Sequence, residues 1–172
     1  MICPTPFETL TAYWLGELTD ADALEEHLFA CDRCAAANEK LGELVHALEG
    51  WIPPIISNAR RDRLLAQGKK LVFNPVAPGE SHARFDAGID VLLHQLAVDL
   101  AKAERVDVEV THGTGFHVTF ENVPFDREAG VVLVACQRHF QALPGDPTFH
   151  VYAFEAGARR KAAEFTIVHE WM

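Results

Sequence analysis

His27-Leu28-Phe29-Ala30-Cys31-Asp32-Arg33-Cys34 is the stretch richest in metal-binding chemistry. In a helix His27 and Cys31 share a face, because residues four apart lie one turn apart. A turn across the two-residue gap between Cys31 and Cys34 brings both sulfurs onto one ion. Cys3 returns as a fourth ligand if the first helix doubles back. Three thiolates and one imidazole in a tetrahedron fit zinc and leave no position open to substrate. Two other readings of the residues stand beside this one. A Cys-x-x-Cys pair also serves thioredoxin-like redox chemistry, although that pair opens a helix after a strand and here a helical segment precedes it. Inert thiols are the third reading.

Outward from the motif, the pattern is helical on both sides. Phe7, Leu10, Trp14 and Leu18 recur along one face behind Pro4 and Pro6, predicting a helix that ends near Gly16 to Leu18. Thr19-Asp20-Ala21-Asp22 reads as a partial capping box for a second helix over about Ala21 to Phe29, with Leu24 and Leu28 inward. From Asp32 a third helix runs to about Glu49, its stripe formed by Leu41, Leu44, Val45 and Leu48. That stripe exceeds what two short helices cover, so part of it serves either a partner or the rest of the chain.

Trp51-Ile52-Pro53-Pro54-Ile55-Ile56 ends the third helix, because two prolines remove backbone donors. Arg60, Arg61 and Arg63 with Leu64 and Leu65 suggest a short basic helix before Gly68. Beyond it the period changes to two. Strands are expected at Leu71 to Phe73, Ile89 to Leu96, Val106 to Val110, Gly115 to Phe120, Val131 to Val134, Thr148 to Phe154 and Glu164 to Val168. Val106, Val108 and Val110 alternate with Asp107 and Glu109, and His112-Gly113-Thr114-Gly115 reads as a hairpin turn. The expected fold class is therefore α+β: a zinc-stabilised helical bundle at 1–50, an apolar and basic connecting segment at 51–68, and an antiparallel β-sandwich at 69–172.

The 172 residues hold 15 basic and 25 acidic side chains, a formal charge of -10. Residues 1–50 carry ten acidic and two basic residues, whereas the remainder is nearly balanced. This argues against coating nucleic acid or anionic membrane and suits a basic protein partner. No long apolar run or basic leader occurs, so a cytoplasmic location is expected, and there a cysteine cluster favours thiolate or metal chemistry over disulfides.

The segment from Cys3 to Leu48 resembles the zinc-binding anti-sigma domain of bacterial regulators. That family has an upstream Cys or His, then His-x-x-x-Cys-x-x-Cys, within a small helical bundle. Tyr13-Trp14-Leu15-Gly16-Glu17-Leu18 is similar to its tyrosine, apolar and Gly-Glu-Leu segment, and Glu26-His27-Leu28 through Cys31 and Cys34 to its metal-binding core. The resemblance implies a transcription regulator that sequesters a sigma factor of the extracytoplasmic-function type, with Leu41, Leu44, Val45 and Leu48 at the contact. It also implies that Cys3, Cys31 and Cys34 are candidates for zinc release under oxidation. The acidic N-terminal surface suits the basic DNA-binding faces of sigma domains.

A different reading keeps zinc but dispenses with the sigma factor: a protein-interaction or self-assembly module, dimeric through the same stripe, joined to a ligand-sensing sandwich. No motif supports an enzyme. His82, His94, His112, His117, His139, His150 and His169 have no diagnostic spacing and read as isolated or hydrogen-bonded histidines, and Cys136 as a small buried hydrophobe.

Overall fold

The computed structural model describes residues 5–16, 18–47, 51–113, 115–142 and 145–172. The chain divides into two compact units, Met1–Ile52 and Pro53–Met172.

The first unit is helical: α1 (Phe7–Leu15), α2 (Ala21–Ala30) and α3 (Asp32–Ala47). Gly16, at φ 67°, closes α1 by donating its N–H to the carbonyls of Ala12 and Tyr13, a left-handed cap that glycine adopts without a Cβ penalty. Asp20, rather than Thr19, caps α2: its carboxylate accepts the Ala23 N–H at 3.3 Å. Leu10, Leu24 and Leu41, one from each helix, form the buried centre, with Tyr13, Trp14, Leu18, Leu28 and Val45 packed against it. Trp14 Nε1 donates to Asn38 Oδ1 at 2.9 Å and Tyr13 Oη to Glu25 Oε1 at 2.9 Å, tying α1 to the other two helices. Among the described residues, this cluster of three buried leucines makes a small core for a unit of this size.

The second unit opens with β1 (Ile55–Ile56) and α4 (Asn58–Ala66), the latter capped by Ser57 Oγ on the Arg60 N–H. There follow β2 (Leu71–Val76), β3 (Gly79–Phe85), β4 (Val91–Ala97), β5 (Arg105–His112), β6 (Phe116–Phe120), β7 (Val131–Cys136), β8 (Pro147–Glu155) and β9 (Ala158–Trp171). Two mixed sheets result, of order β1-β7-β4-β2 and β3-β9-β8-β5-β6. Buried side chains from both sheets join one apolar cluster, including Leu92, Leu96, Val132 and Val134 from the first and Phe85, Val106, Val108, Val151, Phe165 and Ile167 from the second. The architecture is α+β, a helical region followed by two sheets.

The wholly antiparallel arrangement expected from the sequence is corrected at two pairings: β2 runs parallel to β4, and β3 parallel to β9. The first follows from the order of sheets along the chain. β3 lies in the opposite sheet, so the chain reverses twice between β2 and β4 and returns in its original direction. β1 and β3 have no strand signal in the sequence, β1 because it is two residues long and β3 because Gly79-Glu80-Ser81-His82 is polar and exposed or half-buried. Asp107, expected in water, is buried; Asn122 donates its N–H to Oδ1 at 2.9 Å, and Arg105 lies 3.2 Å from Oδ2. The β5 and β6 strands pair as the hairpin reading requires, with Thr114 of the turn outside the described residues.

Candidate metal centre

The α2–α3 junction builds the cluster. α2 places His27 one turn before its end. Cys31, extended at φ -134° and ψ 94°, breaks the helix, and α3 restarts at Asp32 with Cys34 in its first turn. The Ala35 N–H bonds back to the Cys31 carbonyl at 3.0 Å, so the turn is held by backbone. Cys34 is buried, whereas His27 and Cys31 are half-buried. Their ligand atoms all lie within 4.8 Å of one another. Zinc–sulfur and zinc–nitrogen bonds of about 2.3 and 2.0–2.1 Å give tetrahedral ligand edges near 3.5 Å, so small side-chain movements suffice to close the set on an ion. These residues can hold a metal ion, and the donor set is one that zinc accepts.

The other residues singled out in the sequence are placed as follows. Cys3 and Leu48 lie outside the described residues. Leu41 is buried in the helical centre, Val45 packs against it, and Leu44 is 54 % exposed. The stripe is thus divided: two of its described members face inward and one faces solvent. Phe29, inside the metal motif, is 92 % exposed.

A second cluster lies in the β unit, where the sequence offers no local signal. His94 on β4 is fully buried on the face that Leu92 and Leu96 share, and Cys136 ends β7 beside it in the same sheet. His169 comes from β9 of the other sheet. His94 Nε2 and His169 Nε2 are 3.0 Å apart, and both rings lie with Cys136 in a group whose ligand atoms are within 4.8 Å of one another. Asn74 Nδ2 lies 3.0 Å from His94 Nδ1. Burial, reinforced by the neighbouring His169, pushes His94 down to about 3; burial lowers His169 as well, against the opposing pull of Asp146. Burial pushes the Cys136 thiol up to about 12. All three side chains border a cavity of about 120 Å³ walled by Val110, Val118, Phe120 and Phe149. Of the two sequence readings, isolated or hydrogen-bonded, His94 and His169 follow the second. His117 and His150 instead face Glu109 and Glu164 across strands, at 3.9 and 3.0 Å.

No model of a known protein family matches the chain, and comparison with curated proteins yields no relative.

Proposed function

We propose that this protein is a regulatory binding protein: a helical module, ordered by zinc at His27, Cys31 and Cys34, that docks on another protein, joined to a β unit whose two sheets close as a sandwich over a ligand cavity. The observation that carries this reading is the metal cluster at the α2–α3 turn, in a module with a small buried centre and large apolar side chains turned outward. Phe7, Leu15, Phe29, Leu44 and Trp51 are all exposed within the first unit. An ion substitutes for the missing core, and the exposed apolar residues supply partner contacts.

The partner we favour is basic. Residues 1–50 carry an excess of eight acidic groups, so a second copy docking through this module meets like charge, whereas a basic surface meets complementary charge. A sigma factor of the extracytoplasmic-function type has such a surface, and the motif resemblance names it; in this reading the protein acts in the cytoplasm by occluding that factor, without catalysis. Coexpression of the full chain with candidate sigma factors, followed by size-exclusion chromatography and metal analysis, tests both levels. A stoichiometric complex that keeps one zinc in the helical module supports the sigma reading. A zinc-loaded chain that elutes as a defined dimer and ignores every sigma factor leaves the interaction module and removes the sigma partner. A folded helical module that takes up no zinc rejects the whole reading.

A further inference from the structure

The His94, Cys136 and His169 cluster borders the cavity to which the proposed function assigns a ligand, and that reading gives these three side chains no role of their own. His94 stands opposite Val134 and Cys136 opposite Leu92, so the two are diagonal neighbours on one face of the four-stranded sheet. His169 reaches them from the five-stranded sheet. Two imidazoles and a thiol thus meet beside a mostly apolar cavity, whose wall also carries His112 and Asp146. Hydrogen bonds offset the desolvation of the two rings, but the convergence of three metal-ligating groups on one point is more than those bonds require. We propose that His94, Cys136 and His169 form a second metal site, for a borderline divalent ion such as Zn²⁺, with its fourth position open to the cavity.

Three features support the assignment. The donor set of two imidazole nitrogens and one sulfur suits zinc, and three protein ligands leave one position for water or a small ligand. The outer partners are those that orient metal-binding histidines. A backbone hydrogen bond at Ile167 acts on the His169 ring, whose Nε2 is the nitrogen that faces His94. Asn74 sits on Nδ1 of His94, and turning its amide over presents Oδ1 to that nitrogen, freeing Nε2 for the ion. The rings are also held in place: Trp171 stacks on His169 at 5.3 Å, and Phe85 stacks on Trp171 at 5.1 Å.

Binding is balanced in protons. The Cys136 S–H bond breaks, the sulfur–metal bond forms, and the proton leaves to solvent. The walls of the cavity being mostly apolar, the fourth position favours a small ligand with an apolar body and one donor group. This site is independent of the N-terminal cluster, so each stands or falls without the other.

The test is metal content of the full chain, loaded with Zn²⁺ or Co²⁺ under reducing conditions and freed of loose ion by buffer exchange. Cys136→Ser and His169→Gln are each expected to lose one equivalent relative to the parent chain. In the Co²⁺ form, a Cys31→Ser, Cys34→Ser double variant is expected to keep a thiolate-to-cobalt charge-transfer band that adding Cys136→Ser abolishes. Two separate ligand variants guard against a single misfolded one, and far-UV circular dichroism checks the sheets. The proposal is overturned if folded Cys136→Ser and His169→Gln bind as much metal as the parent chain, or if the double variant, with its sheets intact, gives no thiolate band.

Discussion

Gly42 lies directly under the indole of Trp14: a Cβ built on Gly42 falls 2.5 Å from Cζ2 and 2.9 Å from Cη2 of that ring. One turn earlier on α3, Asn38 accepts the Trp14 N–H, so the ring is pinned at its edge while its far side rests on bare backbone. Gly42→Ala gains about 1 kcal/mol of helix propensity but overpacks a pinned aromatic ring, which costs about 1–3 kcal/mol. The expected balance is a module destabilised by about 1 kcal/mol. Urea denaturation followed through the helical signal at 222 nm reads this, and a stabilised Gly42→Ala variant would show that the α1–α3 contact is looser than described.

The metal cluster carries a second prediction. In the zinc-ordered module proposed above, both Cys34→Ser, which removes the buried sulfur of the set, and chelation are expected to lower the helical signal at 222 nm and expose α2 and α3 to protease. The β unit, with its own core, is expected to keep its amide protection. Helices that persist through both treatments would assign their stability to Leu10, Leu24 and Leu41 instead.

Leu41 and Leu44 are separated by less than one turn yet face different surroundings, one buried and the other exposed. Leu44→Glu is expected to leave folding and zinc content unchanged while weakening the partner complex at least tenfold. Leu41→Glu buries a charge in the helical centre and is expected to unfold the module. Isothermal titration against the captured partner, alongside circular dichroism, separates the two; equal affinity for Leu44→Glu and the parent chain would move the contact elsewhere.

A pH prediction concerns Asp126. Its carboxylate accepts the Ala129 N–H and the Asn58 side-chain N–H, each at 2.8 Å, linking the loop before β7 to the start of α4. These bonds, Ala129 foremost, hold its pKa below the ordinary 3.8. A depressed folded-state value means that the stabilisation is fully present above pH 3.8 and fades as the pH falls through the lower folded value. The stability difference between the parent chain and Asp126→Ala is therefore expected to be constant at neutral pH and to shrink below pH 3.8. A difference that stays constant into strong acid would rule out the carboxylate as its source.

The helices were legible because their signals are local. Gly16 stops α1, Asp20 lies within the predicted capping segment, and the three-residue and two-residue gaps of His27, Cys31 and Cys34 translate into one helical turn and one tight turn without reference to anything distant. The valines of β5 were likewise readable from period two, and they do face the core. Asp107 was misread because alternation assigns it to water, whereas a loop carrying Asn122 covers that position.

The sequence by itself determined a helical half and a strand half, the ligand trio at the α2–α3 turn, and the lopsided charge, since all of these depend on spacing along a few turns or on counting. Tertiary structure alone decided the parallel pairings, the division of the α3 stripe into inward Leu41 and outward Leu44, and the meeting of His94 with His169. Those two histidines are 75 residues apart and belong to different sheets. Their 3.0 Å contact exists only because residues of both sheets join one buried cluster, and no local periodicity encodes which residues of one sheet meet those of the other.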